Sequence, residues 1–513
     1  NSITDATSVG FDKAFNSGAG QWRSLAIMGR AHYTFMNRYT IDATFRRDGS
    51  TKFGSNNRWG DFPAVSLKWN MADELFMKPL RAVIDELGIR GGWGITGNQP
   101  DREYLHFSRY NSSWGGGNNN YINIPTVKPS SIELSDLKWE KVTSYNLGID
   151  LHLFNSKLVF DGNIYKRKTE DLLFKDLGIP SSSGFGSLSY VNIGVMDNTG
   201  WELSIYTNNL IKTRDWKVDF NVNFSNNKNK IVELSPAVLN AYNKDFNYDN
   251  GSYLTRLQEG NSFGSIYGFR YKGVYQYDKY EEGRGGTAPV VKDVNGNVVK
   301  DANGKPLPMY FDYFNLGNKR YQFRGGDAIY EDINHDGTID ELDIVYLGNS
   351  NPKLTGGFGT NITFKNFSIS AFFNFRYGNK IVNYARMDAE NMHSNNNQSI
   401  AVNWRWRKDG DVTEMPRALY NYGYNYLGSD RFVEDGSFLR FKTLTFKYNF
   451  SPKSLRRVFL NQLSFYLTLN NLVTFTKYTG VDPEVGIESF GLCADRSKTP
   501  RSQYFTFGVT VGF

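Results

Sequence analysis

The stretch Tyr504–Phe513, YFTFGVTVGF, alternates with a period of two residues. From Phe505 onward its odd positions are apolar, and its even positions are Tyr, Thr or Gly. Successive side chains of a β-strand lie on opposite faces, so this stretch has one apolar face and one polar or small face. About 9 to 11 tilted residues cross the hydrocarbon of a membrane, and the stretch therefore has the length and pattern of a strand in a transmembrane barrel.

The same alternation recurs along the whole chain, and it predicts about fourteen strands. Their expected spans are 21–35, 38–48, 59–71, 87–97, 138–154, 157–172, 189–208, 214–227, 263–275, 352–364, 366–379, 437–450, 461–476 and 502–513. A soluble β-sandwich also has alternating strands with one buried face, so alternation alone leaves that alternative open. The fold class we predict is all-β, a transmembrane antiparallel β-barrel.

Three further features favour the membrane over the sandwich. Several predicted strands reach 12 residues or more, whereas strands of globular proteins usually have about 5 to 6. Aromatic residues make up 16% of the chain, as the interfacial girdles of a barrel require. Short turns also alternate with long polar segments, which we predict to be extracellular loops at 98–137, 230–262, 276–349 and 380–436.

Composition excludes several other classes of protein. Mean hydropathy is −0.51, and no run approaches 18 apolar residues, so the sequence predicts no transmembrane helix. The single cysteine, Cys493, excludes a disulfide scaffold. The net charge of +7 comes from lysines and arginines scattered through predicted loops and strands, a distribution that argues against a nucleic-acid partner.

A series of motifs spans nearly the whole chain. They are FRRDGSTKFG (45–54), NRWGDFPAVS (57–66), GWGITGNQ (92–99), DLKWEK (136–141), MPR (415–417), VEDGSFLR (433–440), NNLVTFT (470–476) and GVDPE (480–484). These motifs, and the order in which they occur, resemble the SusC/RagA family of TonB-dependent outer-membrane transporters.

This resemblance implies a barrel of about 22 strands, an N-terminal plug domain and a TonB box. It also implies a SusD-like surface lipoprotein as partner, energy from a TonB complex, and the outer membrane of a Gram-negative bacterium of the Bacteroidota. The motifs correspond to the C-terminal part of such a barrel, so we expect residues 1–513 to be that part. The plug and about eight strands would then belong to another segment or another chain.

The segment Asp332–Asp343, DINHDGTIDELD, has the spacing of a calcium-binding loop. Oxygen-bearing residues stand at positions 1, 3, 5, 9 and 12, the sixth position is Gly, and the seventh offers a backbone carbonyl. The predicted ligands are Asp332, Asn334, Asp336, Thr338, Asp340 and Asp343. An Asx-rich turn without metal is the alternative, because Asn and Asp side chains also bond to their own backbone in turns.

Two aromatic segments are candidates for ligand contact, because flat rings stack on sugars and peptides. They contribute Tyr420, Tyr422, Tyr424 and Tyr426, interleaved with asparagines, and Trp404 and Trp406. Packing inside a loop is the alternative role for both segments. No catalytic motif accompanies them, since the five histidines are far apart and no G-x-S-x-G or H-E-x-x-H occurs. We therefore predict that the chain is not an enzyme.

The function that these features favour is import of a large nutrient, an oligosaccharide or a peptide, with this chain as the barrel portion of the importer. Two alternatives stay open. The chain could belong to a structural or assembly barrel of a surface complex, or it could form a self-contained fourteen-strand diffusion pore. A soluble sugar-binding sandwich is the least favoured of the possibilities.

Overall fold

The computed structural model describes residues 20–112, 127–236, 238, 239, 253, 257–312, 320–451, 455, 459–488 and 491–513. The predicted loops 98–137, 230–262 and 276–349 lie partly outside these residues. The chain divides into two compact units. The N-terminal unit comprises residues 1–150, 163–199 and 231–241, and the C-terminal unit comprises 151–162, 200–230 and 242–513.

The described part of the chain consists mainly of strands, and it includes a seven-residue α-helix, α1 (Tyr384–Glu390). The strands are β1 (Ser24–Phe35), β2 (Tyr39–Ser50), β3 (Trp59–Asn70), β4 (Ile84–Asn98), β5 (Arg109–Ser112), β6 (Val127–Ser131), β7 (Glu140–Leu153), β8 (Leu158–Glu170), β9 (Leu173–Gly178), β10 (Ser187–Asn192), β11 (Val195–Thr207), β12 (Ile211–Lys212), β13 (Trp216–Glu233), β14 (Ser265–Gly268), β15 (Tyr271–Val274), β16 (Tyr310–Phe311), β17 (Tyr321–Gln322), β18 (Ala328–Tyr330), β19 (Thr338–Ile339), β20 (Val345–Asn349), β21 (Leu354–Phe364), β22 (Phe367–Tyr377), β23 (Lys380–Asn383), β24 (Val433–Asp435), β25 (Phe438–Asn449), β26 (Gln462–Thr476), β27 (Ala494–Asp495) and β28 (Tyr504–Gly512).

Fourteen of the described strands belong to one sheet. Its order is β1-β2-β3-β4-β7-β8-β11-β13-β21-β22-β25-β26-β28, and β12 pairs with β13. Each strand on this path pairs with the next one along the chain, as in a meander. The remaining strands form sheets of two or three strands between these long ones.

In the N-terminal unit, the alternation of the sequence becomes two distinct faces of the sheet. Ile41 pairs with Tyr33 on β1 and with Leu67 on β3, and these three side chains are 43%, 62% and 55% exposed. The next residue, Asp42, lies on the opposite face, where Arg30 Nε donates to its carboxylate at 3.0 Å. One face is therefore apolar and exposed, and the other is polar and bonded across strands.

The C-terminal unit repeats this arrangement. Phe505 and Phe507 of β28 pair with Leu469 and Leu467 of β26, and the two phenylalanines are 74% and 63% exposed. A soluble sandwich would bury such a face in its core. The exposed apolar face instead suits lipid, so the prediction of a transmembrane sheet is confirmed.

Thirteen of the fourteen predicted strands occur in the sheet, and the prediction for 263–275 was wrong. That segment forms β14 and β15, which pair with β20 and β18 in two small sheets. Its residues do not alternate: Ile266, Tyr267 and Phe269 are all buried. The backbone also turns at both ends, since Gly264 and Gly273 have φ of 94° and 109°. The fourteenth strand of the sheet is instead the two-residue strand β12.

The predicted strand 189–208 is divided in the structure. β10 ends at Asn192, β11 begins at Val195, and Gly194 between them has φ of 103°. An L-residue rarely adopts this conformation, and a Cβ at Gly194 would also lie 2.7 Å from Leu234. This glycine therefore ends one strand and starts the next.

The segment 380–436, predicted to be a loop, contains β23, α1, β24 and three-residue and five-residue 3₁₀ helices. Loop residues of the C-terminal unit build two buried clusters. The aromatic core, as we name the first, consists of Tyr267, Phe269, Tyr275, Val291, Met309, Phe311, Tyr321, Phe323, Ala328, Tyr330, Ile339, Ile344 and Leu427. The second cluster includes Tyr253, Ile266, Val382, Met387, Met415, Tyr426 and Phe432.

Among the described residues, no helix combines the length and the apolar character that a membrane-spanning helix requires.

Candidate functional site

The four tyrosines of the segment 420–426 divide into two pairs. Tyr424 packs on the aromatic core, with its ring centroid 4.1 Å from that of Phe311, and Tyr426 is 5% exposed in the second cluster. Tyr420 and Tyr422 are each 62% exposed. Tyr424 and Tyr426 therefore contribute packing, and Tyr420 and Tyr422 are the two rings that a ligand can reach.

Local contacts hold the exposed pair in place. The backbone N–H of Asn421 donates to the backbone carbonyl of His393 at 2.9 Å, and this bond fixes the chain between the two rings. The ring of Tyr422 meets Tyr321 edge-on with centroids 5.2 Å apart. Asn395 Nδ2 donates to the Tyr420 hydroxyl at 3.4 Å. The result is a fixed surface of exposed phenol rings beside exposed amides.

Trp404 and Trp406 also differ in their surroundings. Trp406 donates from Nε1 to the carbonyl of Gln276 at 3.1 Å, and its ring covers Gly326, where a Cβ would lie 2.3 Å from the indole. Gly326 has a φ of 83°, a conformation that residues with a Cβ rarely adopt. The positive φ and the close approach of the indole ring each require glycine at this position. Trp404 is 67% exposed. The structure thus assigns a packing contact to Trp406 and leaves Trp404 accessible.

The acidic loop 332–343 is organised by hydrogen bonds that backbone N–H groups donate to Asp and Asn side-chain oxygens. Asp332 Oδ2 accepts from Gly337 at 2.9 Å, Asp336 Oδ1 accepts from Thr338 at 2.8 Å, and Asn334 Oδ1 accepts from Asp336 at 3.1 Å. Asp340 and Asp343 form a capping box at the short helix 341–343. These bonds fold the loop around Gly337, whose φ is 83°.

Two oxygen-bearing groups of this loop stand out. Asp332 Oδ1 is buried and has no hydrogen-bond partner. Asp343 is fully buried, and burial, together with the charges of Asp332 and Asp340, raises its pKa to about 6. Within the described residues, no three His, Cys, Asp or Glu side chains are grouped closely enough to hold a metal ion. The loop therefore has the oxygen-bearing residues that a cation site needs, but their side chains do not converge on one point in this structure.

A buried ion pair beneath the aromatic surface was not predicted from the sequence. Asp327 is fully buried, and Arg417 Nε donates to its carboxylate at 2.6 Å. The Tyr321 hydroxyl donates to the same carboxylate at 2.7 Å, and Asn425 donates from Nδ2 to the Arg417 carbonyl at 3.1 Å. This network joins the tyrosine segment to the aromatic core, and the MPR motif was its only sequence signal.

A second buried cation, Arg440, attaches the segment 477–503 to β25. Its guanidinium donates to Glu484 at 3.0 Å and to Asp482 at 2.5 Å, and its Nε donates to Thr474 at 2.9 Å. The arginine side chain is only 3% exposed. Arg440 and the two carboxylates lie in the VEDGSFLR and GVDPE motifs, so their contact gives those motifs a structural role.

A membrane-spanning antiparallel sheet with large folded segments between its strands is the architecture of a transmembrane β-barrel protein. The family model described as TonB dependent receptor-like, beta-barrel matches residues 3–324. The chain therefore belongs to the TonB-dependent receptor β-barrel family, and the resemblance to SusC/RagA transporters is confirmed.

Individual relatives agree with this assignment. TonB-dependent receptor P39 of Formosa agariphila is 31% identical over 506 residues, which are 95% of this chain and 46% of that protein. TonB-dependent receptor SusC of Bacteroides thetaiotaomicron is 28% identical over 498 residues, which are 95% of this chain and 44% of that protein. The chain thus spans about half the length of these relatives.

Among solved structures, the RagAB peptide transporter is similar in fold. The match has a TM-score of 0.71 at 25% sequence identity, and it covers 96% of this chain and 48% of that chain.

Proposed function

We propose that this chain is the barrel portion of a TonB-dependent importer in the outer membrane of a Gram-negative bacterium of the Bacteroidota. The observation that carries the proposal is the exposed apolar face of the long sheet, in a chain of the TonB-dependent receptor family. The barrel encloses the path of the solute and performs no chemistry. A TonB complex supplies the energy through a plug domain.

Further strands complete the barrel in this proposal. Among the described residues, β1 pairs with β2 alone and β28 pairs with β26 alone. Backbone groups on an unpaired edge cost several kcal/mol each in hydrocarbon, because no water is present to bond them. The remaining strands, in another segment or chain, would satisfy these edges. This argument disfavours the self-contained fourteen-strand pore.

The cargo in this proposal is a large nutrient, an oligosaccharide or a peptide, captured together with a SusD-like surface lipoprotein. Support comes from the similarity to SusC and to the RagAB peptide transporter, and from the folded loops of the C-terminal unit. A structural or assembly barrel would share the fold and would not need the TonB complex.

The test is uptake of labelled oligosaccharides and peptides by cells that carry the full-length protein. We expect accumulation of one of these classes to stop when the TonB complex is deleted, and to stop when the neighbouring lipoprotein is deleted. Uptake that continues at the same rate without TonB would contradict active import.

Within this proposal, Tyr420, Tyr422 and Trp404 contact the ligand. Each stacked ring contributes about 0.5 to 1.5 kcal/mol beyond its buried area, so replacing one tyrosine by alanine should weaken binding by roughly 2- to 10-fold. Isothermal titration of the purified full-length complex with its ligand measures this change. Tyr346→Ala is the control, because Tyr346 is 51% exposed in the same unit but lies outside the 420–426 segment. Equal effects at positions 346 and 422 would contradict the assignment.

We also propose that the acidic loop holds Ca²⁺ in a structural role, with Asp332, Asn334, Asp336, Asp340 and Asp343 as side-chain ligands and Thr338 as carbonyl ligand. The spacing of the loop and the unpartnered Asp332 Oδ1 support this. A bound cation would stabilise the buried Asp343 carboxylate, and Ile339 and Ile344 beside it belong to the aromatic core. The ion would thereby fasten the loop to that core.

Calcium should raise the thermal stability of the full-length protein, since an ion that binds only the folded state at 100 times its Kd adds about 2.7 kcal/mol. Differential scanning calorimetry with CaCl₂ and with EGTA measures the effect. Asp336→Ala should abolish it. Asp301→Ala should preserve it, because Asp301 caps a similar turn at Asn303 and Lys305 outside the acidic loop. A calcium effect that survives Asp336→Ala would contradict the proposed site.

A further inference from the structure

The connection between β3 and β4, residues 71–83, exposes four apolar side chains in the N-terminal unit. Leu75 and Phe76 are 64% and 63% exposed, and Leu80 and Val83 are exposed as well. The first three lie on the short 3₁₀ helix 75–80. The proposed transport function makes no use of this connection.

The 3₁₀ helix rests on the protein with one of its three sides. Met77 is buried, and its backbone N–H donates to the carbonyl of Glu74 at 3.1 Å. In a 3₁₀ helix, three successive residues lie on three different sides, because each turn has three residues. With Met77 packed against the protein, Leu75 and Phe76 occupy the two outer sides.

The side chain of Glu74 fixes the start of this helix against the ends of two strands. Its carboxylate accepts from the Tyr39 hydroxyl at 2.5 Å, from Trp69 Nε1 at 3.1 Å and from Arg38 Nη1 at 3.2 Å. Tyr39 and Trp69 are cross-strand partners on β2 and β3, and their rings stack with centroids 6.5 Å apart. The carboxylate therefore lies at the polar tips of two stacked aromatic rings.

These two rings belong to the apolar face of the sheet. Tyr39 is two residues before Ile41, Trp69 is two residues after Leu67, and Ile41 pairs with Leu67. Residues two apart in a strand share a face, so Tyr39 and Trp69 lie on the face that contacts lipid. The Glu74 carboxylate is thus held on the lipid side of the sheet, and the exposed helix follows it directly.

The level of the helix along the strands corresponds to a boundary between membrane and water. Tyrosines and tryptophans gather at this boundary, with their rings in the apolar region and their polar tips at the headgroups. Tyr39 is the first residue of β2, and Trp69 is the last but one of β3. This end of the strands also carries the three-residue turn 36–38, and short turns of outer-membrane barrels are periplasmic.

We propose that residues 74–80 form an interfacial anchor, which inserts Leu75, Phe76 and Leu80 into the periplasmic leaflet of the outer membrane. The occupant of this apolar surface is phospholipid, at the level where headgroups meet acyl chains. Continuity with the lipid-facing side of the sheet supports this choice, since a plug domain inside the barrel would meet the opposite, polar face. The anchor would fix the depth of the sheet in the membrane.

The interfacial anchor rests on the outer-membrane location in the proposed function, and it is independent of the transported solute. Failure of the uptake experiment would therefore leave it unaffected.

The test places spin labels on the full-length protein in phospholipid nanodiscs. It measures how often each label collides with oxygen, which concentrates in hydrocarbon, and with a water-soluble nickel chelate. The labels are attached to Leu75→Cys or Phe76→Cys, with every native cysteine replaced by serine. Ile41→Cys is the control for lipid contact. Ser55→Cys is the control for water, because Ser55 is exposed in the connection between β2 and β3 at the other end of the strands.

We expect the labels at positions 75 and 76 to collide more often with oxygen than with nickel, as at position 41, and the label at position 55 to show the reverse. More frequent nickel collisions at 75 and 76, beside a label at 41 in lipid, would overturn the interfacial anchor alone. Shielding of both labels from both reagents would also overturn it, because a protein would then cover the helix. A label at 41 in water would contradict the membrane location itself.

Glu74→Ala tests how the helix is positioned. In the protein labelled at position 75, this change removes the carboxylate that Tyr39, Trp69 and Arg38 hold, so we expect a more mobile label and more frequent nickel collisions. Asp73→Ala is the matched control, since Asp73 is an exposed carboxylate one residue earlier. Equal label mobility in the two variants would contradict the anchoring role of Glu74.

Discussion

Replacing Arg440 by methionine is expected to destabilise the C-terminal unit by about 3 to 5 kcal/mol, because Asp482 and Glu484 would lose the cation between them. The carboxylate side chains are only 13% and 19% exposed, so water replaces the lost contacts poorly. The segment 477–503 should become sensitive to protease in the variant. Chemical denaturation of the full-length protein in detergent measures the free energy of unfolding.

Arg501→Met is the matched control for Arg440→Met. Arg501 also pairs with Glu484, with Nε 2.7 Å from the carboxylate, but its side chain is 49% exposed. An ion pair that is open to water contributes about 1 kcal/mol or less. Equal losses of stability in the two variants would show that Arg440 does not hold the segment to β25.

The second large effect is expected for Arg417→Met, which should cost about 3 to 5 kcal/mol because Asp327 would remain buried as an unpaired charge. Asp327 is 0% exposed, and the arginine is its one cationic partner among the described residues. The loss should loosen Tyr321 and Asn425, and with them the tyrosine segment, so ligand affinity should fall together with stability. Denaturation and ligand titration of the same variant measure both.

Arg270→Met separates this effect from a general loss of charge. Arg270 pairs with Glu331 at 3.2 Å beside the same aromatic core, and its side chain is 47% exposed. We expect a change below about 1 kcal/mol and unaltered ligand affinity. If Arg417→Met were equally mild, the Asp327 network would not support the site.

The long strands could be predicted from the sequence because a sheet with one face in lipid imposes a strict two-residue period. The strands β1, β22 and β28 therefore began and ended within three residues of the expected positions. The prediction failed at 263–275, where both faces of the segment are buried. A strand that is buried on both sides loses the alternation on which the prediction depends.

The candidate site was harder to predict, because it depends on contacts between distant segments. Tyr422 and Tyr424 both lie beside Gly423, with an asparagine on the other side, but Tyr424 packs on Phe311, more than a hundred residues away, whereas Tyr422 is 62% exposed. In the same way, Asp327 and Arg417 are 90 residues apart. The MPR motif that contains Arg417 was visible in the sequence, but its pairing with Asp327 was not.

The most direct test of this account is mass spectrometry of the native complex extracted from the outer membrane in mild detergent, with identification of every polypeptide. The account predicts that residues 1–513 occur with a plug domain, a TonB box and the remaining strands, in the same or a companion chain, and with a surface lipoprotein. A stable species of 58.5 kDa that contains this chain alone and conducts ions would contradict it, and would identify a self-contained pore.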